Sequence, residues 1–188
     1  VSEPAQQQNM INMLIADHRE VEEAFQQFET GQLDANQRRD LADHIITELV
    51  RHSVAEEQYL YPAARESLDN GDEIADHEIS EHAEAERTMK QLESLDAEGQ
   101  QFDETMRTLI ASIRHHVTDE EDDLFPKLRE ACTADRLEEL GGKIREAKET
   151  APTRPHPAAP DRPPANKILA PGAGLVDKMR DTLSGRQH

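Results

Sequence analysis

One segment of this chain occurs twice, 64 residues apart, and that repetition limits the fold more than any other feature. His52-x3-Glu56-Glu57-x2-Leu60-Tyr61-Pro62 returns as His116-x3-Glu120-Glu121-x2-Leu124-Phe125-Pro126. The same offset carries Asp17-His18-Arg19-Glu20 onto Glu81-His82-Ala83-Glu84, and Phe25 and Phe28 onto Met89 and Leu92. Each half thus supplies a lone histidine, then a histidine and a glutamate four residues apart. A period this long, held in register across two separate segments, describes a duplicated helical hairpin. The residues repeated most strictly are imidazoles and carboxylates, the side chains that bind metal ions.

Apolar periodicity separates four long helical segments. The first runs from about residue 4 to 29 and places Leu14, His18, Val21 and Phe25 on one stripe, with Gly31 as its closing residue. Asp34 caps the second, in which Ile45, Leu49, His52, Glu56 and Leu60 share a face and Pro62 introduces a kink. The third covers about residues 72–95, with Ala75, Glu78, His82, Ala85 and Met89 inward. The fourth covers about residues 101–132, with Leu109, Ile113, His116, Glu120 and Leu124 inward and Pro126 at the equivalent kink. Thr133 caps a shorter fifth helix reaching about residue 149. Short connections make neighbouring helices antiparallel, so the expected fold is all-α: an up-down-up-down four-helix bundle over residues 1–150. Residues 151–172 hold seven prolines and read as an extended linker that builds no core and is dispensable for any site in the bundle. A short amphipathic helix, 174–183, completes a C-terminal tail over 151–188.

The stripes assign His18, His52, Glu56, His82, His116 and Glu120 to the bundle interior. Spacing of four residues keeps each His-Glu pair on one face, a turn apart. An unpartnered buried carboxylate is costly and tends to neutralise. A pair of metal ions accounts for all six at once; a hydrogen-bonded polar layer without metal is the competing explanation. Glu78 occupies the position of Leu14 in the repeat, so a carboxylate replaces a core residue one turn before His82, and it stands as a seventh candidate ligand. Glu57 and Glu121 follow the inward glutamates directly and are expected to face outward, with an inward swing of Glu57 as the alternative. Tyr59, seven residues after His52, is within reach of the site as a hydrogen-bond donor or redox partner, but plain packing is the expectation for it. His44, His77, His115, His156 and His188 fall off the stripes or beyond the bundle.

This set of residues resembles the hemerythrin-like family, in its bacterial HHE cation-binding branch, over roughly residues 8–132. The resemblance rests on His18, His52/Glu56, His82 and His116/Glu120 in that order, with Leu60-Tyr61-Pro62 and Leu124-Phe125-Pro126. It implies a four-helix bundle around a non-haem di-iron centre: His18 and His52 on one iron, His82 and His116 on the other, Glu56 and Glu120 bridging. Manganese or zinc are the substitutes such ligands accept. The chain departs from oxygen-carrying hemerythrins at Glu78, where they have a fifth histidine, and in its last motif, where they have His-x4-Asp. Anionic oxygen ligands favour higher oxidation states, which counts against a carrier role.

The expected function is therefore a di-iron protein that binds or senses oxygen, nitric oxide or peroxide. An oxidoreductase consuming peroxide or oxygen, and an interaction module with a structural metal, are the alternatives. A net charge of −19 argues against nucleic acid and anionic membranes as partners. The tail is where a protein partner would dock. One cysteine, no apolar run of membrane-span length and no signal-peptide pattern lead to the expectation of a cytoplasmic protein.

Overall fold

A computed structural model describes residues 9–159, together with 163, 166, 167 and 181. Helix α1 spans Met10–Thr30, and Asn9 caps it by accepting from the Asn12 amide at 2.9 Å. Gly31 ends it in extended backbone, not the left-handed turn usual for a terminal glycine, and its amide bonds to the Gln27 carbonyl. The glycine is needed for room: a Cβ there would sit 2.5 Å from that carbonyl oxygen. Helix α2, Ala35–Ala55, opens with a reciprocal cap in which Asp34 and Gln37 each bond the other's amide at 3.0 Å. Such caps are worth about 0.5–2 kcal/mol.

Each repeat then makes the same departure from α geometry. A π turn, Glu56–Leu60, leads into α3, Tyr61–Ser67; after α4 (Gly71–Leu92) and α5 (Gln100–Asp119), a second π turn, Glu120–Leu124, leads into α6, Phe125–Ala131. The amides of Tyr61 and Phe125 bond back five residues, to Glu56 and Glu120. The expected proline kinks are thus π turns, with Pro62 and Pro126 just past them in the opening turns of α3 and α6. The helix runs on through each π turn, and the return from five-residue to four-residue spacing just beyond it is where a residue lacking an N–H is accommodated. Helix α7, Ala134–Thr150, begins at the expected Thr133 cap.

Helices α1, α2, α4 and α5 form the bundle, and α7 packs across α1, α2 and the first π turn. The interior holds two apolar clusters. One contains Met10, Leu14, Leu60, Tyr61, Phe125 and Ile144; the other contains Val21, Phe25, Leu49, Met89, Phe102 and Ile113. Between them lies one polar layer, because on every helix the histidine falls between residues of the two clusters.

The start of the Pro-rich stretch is not helical, as expected, but it does not stand free. Residues 151–153 and 155 are buried, Thr153 receives a hydrogen bond from Thr47, and Arg154 bridges Glu93 and Asp181. Prolines lack amide donors that burial would leave unmet, so an extended strap of them can lie flat on a bundle. The expected helix at 174–183 falls outside the described residues except at Asp181. No helix among the described residues is long and apolar enough to cross a membrane.

Candidate metal centre

The polar layer brings together the residues singled out by the repeat. His18, His52, Glu56 and Glu120 place ligand atoms within 4.8 Å of one another, and so do Glu56, His82 and His116. The two carboxylates lie between the histidine pairs: Glu56 is 2.8 Å from His52 Nε2 and 3.3 Å from His82 Nε2, while Glu120 is 3.5 Å from His18 Nε2 and 3.8 Å from His116 Nε2. Both glutamates are fully buried.

The outer nitrogen of every ring meets a carboxylate. His18 Nδ1 lies 2.9 Å from Glu121, His52 Nδ1 3.3 Å from Asp17, His82 Nδ1 3.1 Å from Glu57 and His116 Nδ1 3.2 Å from Glu81. These four acids obey the 64-residue offset too: Asp17 with Glu81, Glu57 with Glu121. Glu121 therefore does not face outward as its position suggests, and Glu57 takes the inward alternative. Successive helical residues point about 100° apart, so when Glu56 faces the bundle axis Glu57 faces the neighbouring helix.

Those outer bonds decide what the centre can hold. A ring that donates from Nδ1 carries its lone pair on Nε2. The Nε2 atoms converge in pairs, His18 on His52 and His82 on His116, each at 3.1 Å. Glu56 Oε1 and Glu120 Oε2 are buried among them without a hydrogen-bond partner. Such a concentration of acceptors calls for cations, either metal ions or protons, and this donor set fits metal ions. Without metal, protons answer the demand. Burial by itself would lower His52, but Glu56 and Asp17 override it and raise the imidazole to about 10. His82 and His116 are likewise raised against burial, by Glu56 and Glu57 and by Glu120 and Glu78 respectively. Burial works to raise Glu56, yet His52 and His82 hold it well below the usual carboxylate range.

Tyr61, not Tyr59, reaches this layer. Its hydroxyl donates to Glu120 Oε1 at 3.1 Å and lies 3.0 Å from His82 Nε2. Burial, then the charges of Glu120 and Glu56, push its ionisation well above the normal tyrosine value. Tyr59 packs instead in the first apolar cluster. The repeat equivalent of Tyr61 is Phe125, which stacks on His18 with centroids 5.8 Å apart.

Glu78 is 3 % exposed. Its Oε2 lies 2.8 Å from His116 Nδ1, on the ring's outer side, but makes no hydrogen bond. With His116 and Glu120 it forms a further group of ligand atoms within 4.8 Å. Burial raises its ionisation, partly offset by His116. Of the histidines set aside, His77 is exposed on α4 and His44 half-buried on α2. A cavity of about 370 Å³ reaches His18, His52, His82 and His116 from the side of the second apolar cluster, and its walls include Phe25, Leu49, Ile113 and Val117. At its mouth Arg114 binds Glu22 and Glu29, at 2.9 and 2.8 Å.

The profile of the Hemerythrin HHE cation binding domain matches residues 9–128. An uncharacterized hemerythrin-like protein of Schizosaccharomyces pombe is 26 % identical over 171 residues, 90 % of this chain and 84 % of the relative. A DNA nickase of a Nostoc species is 26 % identical over 145 residues, 76 % of this chain but only 40 % of the relative. No solved structure gives a significant match. With the family profile spanning both copies of the repeat and the histidine-carboxylate layer between them, this chain belongs to the hemerythrin family, as an HHE cation-binding domain.

Proposed function

We propose that the polar layer holds two iron ions, His18 and His52 serving one and His82 and His116 the other, with Glu56 and Glu120 shared, and that the pair binds or senses a small ligand such as oxygen, nitric oxide or peroxide. The convergence of lone pairs and orphaned carboxylate oxygens at one buried level carries this reading. Mixed imidazole and carboxylate donors suit iron or manganese, and zinc less well as a pair. Bound iron supplies redox chemistry and an open position for a small ligand. The chain supplies the rest. Asp17, Glu57, Glu81 and Glu121 orient the rings and fix their tautomers. Phe25, Leu49, Ile113 and Val117 give the cavity apolar walls, and the Arg114 bridge to Glu22 and Glu29 stands at its mouth. Glu78 is the proposed seventh ligand or a support to His116.

The test is anaerobic reduction of the iron-loaded protein, followed by spectra with oxygen, nitric oxide and peroxide added separately. A band that appears with oxygen or nitric oxide and reverses on evacuation is expected. Preparations holding no metal, or a single zinc, would overturn the reading.

Tyr61 favours a second reading, an oxidoreductase consuming peroxide or oxygen. It is a protonated O–H inside the layer, where it can hold or pass a proton between Glu120 and His82. Tyr61→Phe should keep both ions under either reading. It should slow peroxide consumption only if the protein turns over, and leave a reversible band intact if it does not. The nickase activity named for one relative gains no support from a chain of net charge −19.

A further inference from the structure

The two halves differ most on their outer faces. On the first half, α7 covers the surface between α1 and α2: Met13, Leu14, Ala55 and Tyr59 pack with Leu137 and Ile144. The 64-residue offset turns those four positions into His77, Glu78, Asp119 and Asp123 on the second half. They line a cavity of about 670 Å³ between α4 and α5.

Asp17 and Glu81 show what belongs there. Asp17 gives one oxygen to His52 Nδ1 and the other to the ammonium of Lys148 on α7, at 2.7 Å. Glu81 gives one oxygen to His116 Nδ1, but its second faces His77 Nε2 at 3.8 Å, and Asp119 Oδ2, 3.3 Å from His115 Nδ1 on its other side, lies 3.8 Å from the same His77 nitrogen. The two 3.8 Å separations are too long for hydrogen bonds. They exceed by less than about 1 Å the ~3.0–3.4 Å that two adjacent ligand atoms span around an octahedral or tetrahedral ion with bonds of about 2.1 Å. His77, Glu81 and Asp119 together place ligand atoms within 4.8 Å. Glu78 adds an independent sign, since a buried carboxylate with an unbonded oxygen lines this cavity and reaches His116 behind it. A surface that merely carries charge for solubility has no reason to bury one.

We propose that His77, Glu81 and Asp119 form an outer divalent-cation site, filling the place Lys148 takes on the first half, from which the metal passes by Glu78 to the His82/His116 position. The proposal rests on the reading of the layer as a metal centre. The donor set is that of a weak site for Fe2+ or Mn2+. Both its histidine and Asp119 are accessible enough to collect an ion, and Glu81 and Glu78 face the outer and inner positions at once.

The experiment titrates the full-length metal-free chain with Mn2+, followed by electron paramagnetic resonance and calorimetry, and times anaerobic Fe2+ uptake by stopped flow. Wild type is expected to show a third, weaker ion beyond the inner pair. His77→Ala and Asp119→Asn should each weaken the third ion by about tenfold or more and slow uptake, while final inner occupancy and circular dichroism stay unchanged. Two ions without a third, or a third whose loss leaves the uptake rate alone, overturns the outer site and leaves the inner centre standing. A wild-type chain that takes up no inner pair instead refutes the centre itself.

Discussion

The halves of this bundle agree at its centre and disagree at its surface. At the layer, each ring, glutamate and outer carboxylate has a counterpart 64 residues away making the equivalent contact. Outside the layer, one half is sealed by α7 and the other is open and acidic. Next to the rings themselves, two further exchanges, Leu14 for Glu78 and Phe125 for Tyr61, both place the polar partner at His82 and His116. Duplication therefore produced a symmetric cage with unlike outer faces: apolar and covered by α7 beside Leu14 and Ala55, polar and open beside Glu78 and Asp119. Glu56 and Glu120 each face a histidine of both pairs, so a change in either acts on both poles.

The most severe way to break the comparison is to remove what the halves share. Glu56→Ala and Glu120→Ala should each strip metal from both positions, since each carboxylate faces a histidine of either pair; elemental analysis of the purified variants checks this. The next largest effect should be confined to one pole. His52→Ala and His116→Ala should each leave metal chiefly at the opposite position and to similar extents, and grossly unequal losses would show that the equivalence stops at geometry.

A smaller and graded effect follows from pH. In the metal-free protein His52 is raised from 6.5 to about 10, so its contribution to stability is complete below about pH 6.5 and is lost as pH climbs through about 10. Metal needs the unprotonated ring and should be favoured over the same interval. Thermal melts of metal-free and metal-loaded protein should accordingly separate further as pH rises from 6.5, with the metal-free form falling. The smallest expected effect sharpens the contrast between faces. Lys148→Met removes the ammonium beside Asp17 and should weaken the ion at His18 and His52 by less than about tenfold, consistent with the lower range of outer-ligand changes, without touching the other pole. Mn2+ titration resolves the two.

The repeat and the apolar stripes were enough to read the helices, their antiparallel order and the six residues of the layer. A histidine on an apolar stripe is conspicuous, and a second copy in register removes most of the coincidence. Tyr61 was hidden by its backbone. On an uninterrupted 3.6-residue helix Tyr59 shares the face of His52 and Leu60 stacks over Glu56; the π turn adds a residue and brings Tyr61 there instead. Nothing in local pattern announces a π turn, although the identical Leu-aromatic-Pro endings hinted that both repeats share an irregularity. Glu121 was not legible, and Glu57 was only as an alternative, because a bundle position flanking the axis has the same sequence pattern as one facing solvent. The docking of α7 on one half, and of residues 151–155 on the bundle, depends on surfaces distant in sequence. Composition alone suggested a freer strap than the buried Thr153 and the Arg154 bridges provide.

The outer carboxylates have a consequence of their own when followed from helix to helix. The α1 histidine is held by Glu121 in the π turn after α5, the α5 histidine by Glu81 of α4, the α4 histidine by Glu57 in the π turn after α2, and the α2 histidine by Asp17 of α1. The links close into a hoop that runs once around the bundle in a single sense, each helix gripping the next. No helix can turn or slide at this height without pulling on its neighbour, and through it on the other two. A change of charge or radius at the centre is therefore felt by the circumference as a whole, so the bundle answers at this level as one body or not at all.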